Sequence, residues 1–200
     1  MSLEVWAALL TRPLSAAEEE ALERLLPPER RERLLRAEAE RRREPLCAYA
    51  LLLAALRRRC GWRSFPAIDR APGGKPYFPD HPEVCFSLSH TRGAVLVGVG
   101  DTPLGVDVEK LRPVSGRFMR RLADTDDPEV FFQEWVRREA AAKRSGIGIG
   151  AMMGPDTAEP FHPGERYLPL RTFEGFVAGL SCAAGETPEE VRRYTLDTLM

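Results

Sequence analysis

The sequence predicts an α+β fold, and three observations carry that prediction. Apolar residues recur at three- and four-residue spacing up to about Gly61 and at two-residue spacing through much of the chain beyond it. The element order is strand–helices–strands and then helix–strands, one plan stated approximately twice. Hydrophobic residues make up 44% and charged residues 30% of 200 residues, a balance that fits a packed globular domain and not disorder. That length suits one large domain or two small lobes with a joint core.

Leu3–Leu10 reads as an opening strand. Ser15 followed by Glu18 is a capping-box pattern that starts a helix over 16–26, and Pro27-Pro28 ends it. A second, Arg-rich helix is expected over 29–43. Pro45 suits the first turn of a third, running to Cys60 with Leu46, Tyr49, Ala50, Leu53 and Leu56 on its buried side. Arg57–Arg59 complement its dipole and Gly61 stops it. Gly73–Pro76 is a turn. Val84–Ser89, Ala94–Val99 and Leu104–Glu109 read as strands, joined by the short connections Arg92-Gly93 and Asp101–Pro103 into an antiparallel meander. A helix comes next over 128–144, then a Gly- and Pro-rich loop over Gly146–Gly164, then strands at Tyr167–Thr172, Gly175–Ala183 and Val191–Asp197.

Composition excludes several classes. No apolar run approaches the ~18 residues of a membrane span, and the first twenty residues lack the pattern of a signal peptide. Cys47, Cys60, Cys85 and Cys182 form no CxxC pair, which fits reduced core thiols in a cytoplasmic protein and disfavours zinc. Net charge is −1 but unevenly spread: residues 24–63 hold twelve Arg against five Glu. Such a patch suits an anionic partner or ligand.

Four constellations carry chemistry. In Gly105-Val106-Asp107-Val108-Glu109, strand alternation puts both carboxylates on one face. They form either a solvated acidic edge or an oxygen pair for Mg²⁺, Mn²⁺ or Ca²⁺. Trp135, Glu139 and Lys143 lie along one helix stripe. There Glu139 is half of an ordinary Glu–Lys pair, or a third metal oxygen and proton acceptor if the helix lies against the Asp107 strand. In Phe86-Ser87-Leu88-Ser89-His90-Thr91, Phe86, Leu88 and His90 share one face, Ser87 and Ser89 the other, and His90 at the strand end can reach a phosphate or a reacting group. Neither serine lies in a nucleophile elbow. Lys75, in Gly74-Lys75-Pro76, sits on a stiff turn without the P-loop spacing, and is either a phosphate contact or a solvated lysine. His81 and His162 read as surface histidines.

Together and in this order, GKP, FSLSHT, GVDVE and WxxxExxxK resemble the two-lobed 4′-phosphopantetheinyl transferases, specifically the group that activates non-ribosomal peptide and polyketide synthases. The resemblance covers residues 10–150 and includes Arg12-Pro13-Leu14-Ser15. It implies two similar lobes, a pseudo-dimer in one chain, each an antiparallel sheet packed with helices. The lobes would be residues 1–103 and 104–200, with the site in the cleft between them. It implies Mg²⁺, or Mn²⁺, held by Asp107, Glu109 and Glu139 with the pyrophosphate of coenzyme A. Glu139 would take the proton of a carrier-protein serine and Lys143 would assist the departing 3′,5′-ADP. Lys75, Pro76, Ser89 and His90 would line the coenzyme A pocket. Arg43 would meet the 3′-phosphate, with Arg30 and Arg33 facing it.

The implied partner is an acyl, peptidyl or aryl carrier protein, whose acidic surface suits Arg112, Arg117, Arg120 and Arg121. A monomer is expected, with no membrane and no nucleic acid partner. A non-catalytic coenzyme A or nucleotide-binding module of the same fold is the alternative. Departures from the family pattern are Arg138 where lysine is usual, not equivalent in geometry, a short segment between Glu109 and Trp135, and a C-terminal half that matches only in pattern.

Overall fold

The computed structural model describes residues 3–148, 150 and 164–199. Most of the expected Gly146–Gly164 loop, His162 included, lies outside the described residues. The strands are β1 (Glu4–Leu9), β2 (Asp69–Arg70), β3 (Pro76–Tyr77), β4 (Cys85–Thr91), β5 (Ala94–Gly100), β6 (Gly105–Lys110), β7 (Glu165–Leu170), β8 (Phe176–Ala183) and β9 (Val191–Thr195). The helices are α1 (Ala16–Leu25), α2 (Pro28–Leu35), α3 (Arg43–Cys60), α4 (Gly116–Ala123), α5 (Pro128–Ser145) and α6 (Leu196–Leu199), with a 3₁₀ turn at Ala39–Arg41.

The mixed α+β class holds. One sheet has the order β4-β5-β1-β9 and another β6-β8-β7, with β2 and β3 forming a small ribbon. The second sheet is antiparallel throughout; in the first, β9 runs parallel to β1, so the end of the chain returns beside its beginning. Trp6 and Ala8 of β1 and Val95, Val97 and Val99 of β5 pack against Leu46, Leu51, Leu52 and Leu56 of α3. Their neighbours Val5, Ala7, Ala94 and Leu96 face the other way, onto Leu104, Val106, Val108 and Leu180. The period-2 alternation of β1 and β5 thereby feeds two cores, and all seven residues of β5 are buried.

Three expectations need correction. The meander stops at β5. The chain turns at Asp101–Pro103, but β6 does not join the sheet, because both edges of β5 are already taken by β4 and β1. It crosses the face of β5 instead, and Gly98 allows this: a Cβ there would strike Leu104 and Val106. The helix expected over 29–43 breaks after Leu35. Arg42 explains the stop, donating from Nε to the Ala37 carbonyl and from Nη2 to the Leu35 carbonyl at 2.8 Å each. These bonds satisfy backbone acceptors that a continuing helix would otherwise use. Finally, α4 was not expected. It is held by Met119 and Leu122 against Phe131 and Phe132 of α5.

The third helix and its caps agree with the sequence. Pro45 lies in its first turn and Gly61 closes it at φ 72°. The Ser15–Glu18 capping box is present in both directions.

Candidate active site

Helix α5 and strand β6 bring the acids together. Asp127 caps α5, its Oδ1 accepting from the Glu129 amide at 2.8 Å; Pro128 opens the first turn, and Gly146 ends the helix at φ 76°. Two close approaches fix where α5 lies. A Cβ on Gly105 would collide with the Ala140 carbonyl and the Arg144 amide, and one on Gly73 would land on the Gly146 carbonyl. The helix therefore rests directly on the start of β6 and against the Gly-Gly turn.

Alternation on β6 sends Val106 and Val108 into the core and turns Asp107 toward α5. The ordinary Glu139–Lys143 pair does not form. Lys143 reaches across instead: its Nζ donates to Asp107 Oδ1 at 2.7 Å and to Ser89 Oγ at 2.9 Å. Ser89 Oγ also donates to Asp107 Oδ1 at 2.7 Å. Asp107 is 4% exposed, and its Oδ2 is buried with no hydrogen-bond partner among the described residues. Glu109 Oε2 accepts from Thr91 Oγ1 at 3.1 Å and Arg112 Nη1 at 2.7 Å. Burial pushes the Glu139 carboxyl above its ordinary range, opposed by the Lys143 ammonium and reinforced by the charges of Asp107 and Glu109. Trp135 packs into the third core beside Phe118 and Phe131.

Three carboxylates near enough to feel one another's charge, one with an orphaned buried oxygen, are the donor type that a hard divalent cation takes. Among the described residues, no three His, Cys, Asp or Glu side chains form a ready metal cage as they stand. With Lys143 bound to Asp107 Oδ1, a cation would be left Asp107 Oδ2 together with Glu109 and Glu139. The donor chemistry fits the implied metal.

Glu139 borders one cavity and His90 two others. One of about 260 Å³ is lined by Lys75, Pro76, Ser87, Leu88, Glu139 and Lys143. Lys75 Nζ donates to the carbonyls of Leu104 at 3.1 Å and Arg144 at 2.7 Å. It so ties the GKP turn to the start of β6 and the end of α5, and burial draws its pKa down to about 8. A second cavity, about 860 Å³, is bordered by Arg43, Glu44, Thr91 and Arg92; a third, about 420 Å³, by Arg30, Arg33, Arg41, Tyr49 and Arg70. His90 borders both of these, exposed to solvent yet crowded by protein on its inner side. That crowding, and then the Lys143 ammonium, disfavours its protonated form.

The arginines stand differently. Arg43 is committed: Nε and Nη2 donate to Glu44 Oε1 at 3.1 and 2.6 Å, and Nη1 to the Arg12 carbonyl. Arg30, Arg33 and Arg70 border one cavity, and desolvation, then the charges of Arg30 and Arg33, lower the Arg70 pKa. Arg138 is buried and turned away from Glu139. Its Nε donates to Glu134 and its Nη2 to the Leu122 carbonyl, bracing α4 on α5. Arg112 lies over the Phe132 ring at 4.9 Å as well as on Glu109, and Arg120 pairs with Asp126. Sequence reasoning missed Arg70, Glu44 and Thr91. For Thr91 the signal was present, since it continues the Ser87, Ser89 alternation.

The acids of α5 and β6, the Lys143 bridge between the two elements and the arginine-bordered cavities nearby make up the candidate site. Comparisons with known proteins bear on its class. No family model matches the chain. It is 23% identical to the 4′-phosphopantetheinyl transferase Sfp of Bacillus subtilis over 99% of this chain and 100% of that protein. It is 26% identical to a second 4′-phosphopantetheinyl transferase of Bacillus subtilis, over 74% of this chain and 72% of that protein. To the 4′-phosphopantetheinyl transferase HetI of Nostoc sp. it is 33% identical over 42% of this chain and 44% of that protein. The likeness borne by the motifs therefore extends along the whole chain, which is similar to several 4′-phosphopantetheinyl transferases. Among the described residues, no helix is long and apolar enough to cross a membrane.

Proposed function

We propose that this chain moves the 4′-phosphopantetheine group of coenzyme A onto a serine of an acyl, peptidyl or aryl carrier protein and releases 3′,5′-ADP. The observation that carries the reading is the convergence of Glu139 and Lys143 of α5 on Asp107 of β6. Asp107, Glu109 and Glu139 would hold Mg²⁺ or Mn²⁺. Bound there, the cation would supply neutralisation of charge on the transferring phosphate.

Glu139 is the proton acceptor. Its carboxyl is raised by burial, and a carboxylate of raised pKa is a stronger base near neutral pH. The carrier serine loses its proton to Glu139 while its oxygen bonds to the pantetheine-bearing phosphorus. The pyrophosphate P–O bond breaks, and its electrons stay on the departing 3′,5′-ADP. Lys143, held by Asp107 and Ser89, stabilises that leaving oxygen. Arg30 and Arg33 receive the 3′-phosphate in the cavity beneath His90, with Arg70 as a third guanidinium. Arg43 supports the wall of the adjoining cavity from Glu44. Lys75 and Pro76 form the floor beside Glu139.

In this reading the sheets β4-β5-β1-β9 and β6-β8-β7 are the centres of two lobes, the protein acts as a cytoplasmic monomer, and the carrier docks by Arg117 and Arg121. The experiment is mass spectrometry of an apo-carrier after incubation with coenzyme A and Mg²⁺. One phosphopantetheine is gained with metal and none in excess EDTA. Coenzyme A binding without any transfer would favour the non-catalytic module.

A further inference from the structure

The edge of β6 that faces β4 is satisfied in an unusual way. Its other edge pairs with β8, Gly105 opposite Ser181 through Lys110 opposite Phe176. An antiparallel ladder uses alternate amides, so those of Val106, Val108 and Lys110 point away from β8. Each meets a hydroxyl on β4 where a strand carbonyl would ordinarily stand. Ser87 Oγ accepts from Val106 N at 3.1 Å, Ser89 Oγ from Val108 N at 3.2 Å, and Thr91 Oγ1 from Lys110 N at 3.4 Å. Three hydroxyls two residues apart thus form one row of side chains joining the two sheets.

A hydroxyl accepts and donates at once. Ser89 spends its proton on Asp107 Oδ1 at 2.7 Å and Thr91 spends its proton on Glu109 Oε2 at 3.1 Å. The remaining partners fall on the same oxygens: Lys143 on Asp107 Oδ1 and Arg112 on Glu109 Oε2. In each acid, one carboxylate oxygen is pinned by the protein. The second has no hydrogen-bond partner among the described residues, and in Asp107 it is buried as well.

We infer that Thr91 is a positioning residue for Glu109, as Ser89 is for Asp107, and that this hydroxyl row presents one bare oxygen from each acid to a shared divalent cation. The inference rests on the metal reading proposed above and adds Thr91 to it. Backbone and carboxylate are held by the same hydroxyl, so the distance between β4 and β6 and the aim of the acid are set together. Ser89 acts on the acid from inside the seam.

Thr91→Val keeps the shape and deletes the hydroxyl; Thr91→Ser keeps the hydroxyl and deletes the methyl. Mn²⁺ binding to the purified protein, read by calorimetry and by the free-Mn²⁺ paramagnetic signal with no carrier present, should weaken in Thr91→Val. The expected loss is about tenfold, the lower end of what partners orienting a metal ligand are worth. Thr91→Ser should restore the affinity, and coenzyme A binding in EDTA should be the same in all three proteins. A melting curve for each accounts for any loss of folded protein. If the wild-type chain binds Mn²⁺ and Thr91→Val binds it equally well, the positioning role is wrong while the metal reading stands. If the wild-type chain binds no Mn²⁺, the metal reading falls and this inference falls with it. Weakening in Thr91→Val that Thr91→Ser fails to reverse would also overturn it, because the methyl and not the hydroxyl would then be the cause.

Discussion

The seam between α5 and β6 and the arginine-rich wall of α2 and α3 are built in opposite ways, and under the proposed function both would serve the same ligand. In the seam, Asp107 is buried and Ser89, Lys143 and Asp107 are locked by bonds of 2.7 to 2.9 Å. The wall is loose. Helix α2 has no buried residue, and the ion pair between Arg36 and Glu32 leaves both side chains more than 70% exposed. Fixed dipoles in a dry site act strongly on developing charge without reorganising. Exposed surface guanidinia instead attract an anion from a distance and are screened by salt. Under the proposed function, positioning would fall to the seam and capture to the wall.

The largest separation between the two should come from Glu139→Gln. Turnover should fall by about 10²–10⁴-fold if Glu139 is the base, with coenzyme A still bound. The same variant should melt at a higher temperature near neutral pH. The folded-state pKa of Glu139 lies above its unfolded value. Its ionised form therefore destabilises the fold above that raised pKa, and the penalty is relieved as pH falls toward the ordinary carboxylate range. The gain in melting temperature should shrink over that window, and a gain unchanged by acid would show that burial of the charge is not its source.

Arg30→Ala combined with Arg33→Ala should act on capture alone. Coenzyme A affinity should drop by roughly 10–100-fold, the scale of one or two charge-assisted hydrogen bonds. Dephospho-coenzyme A, which lacks the 3′-phosphate, should be much less affected. Calorimetry on both ligands checks this, and Arg43→Ala sharpens it, since Arg43 is already paired with Glu44. Equal loss for both ligands in the double variant would place the 3′-phosphate elsewhere.

Smaller still is Ser87→Ala, which strands the buried Val106 amide and should cost about 1–3 kcal/mol of unfolding free energy in a denaturant titration. Smallest is Glu32→Ala on the exposed wall, where loss of the pair with Arg36 should cost about 0.3–0.5 kcal/mol. Comparable costs for these two would erase the contrast between seam and wall.

Much of the seam was legible in the sequence because strand and helix periods are local. The spacing of Asp107 and Glu109, the stripe Trp135–Glu139–Lys143 and the opposed faces of Phe86–Thr91 all derive from them. What was hidden depends on residues far apart in sequence. That β6 crosses β5 is a consequence of β1 having taken the edge of β5, and the pairing of β9 with β1 is a parallel contact with no local signature. The end of α2 at Leu35 was hidden because it is set by Arg42, seven residues on. Thr91 in a strand reads as β propensity, and only the proximity of Glu109 gives its hydroxyl a task. Arg43 shows the reverse: its place beside a phosphate comes from resemblance alone, and its pairing with Glu44 emerges only in three dimensions.

If the seam carries out transfer, the mass of a purified apo-carrier shows it most directly. After incubation with this protein, coenzyme A and Mg²⁺, the carrier should gain one phosphopantetheine on its serine. The gain should vanish in excess EDTA and return with added Mg²⁺ or Mn²⁺. A carrier of unchanged mass, beside a protein that binds coenzyme A and a positive-control transferase that modifies the same carrier, would contradict the claim.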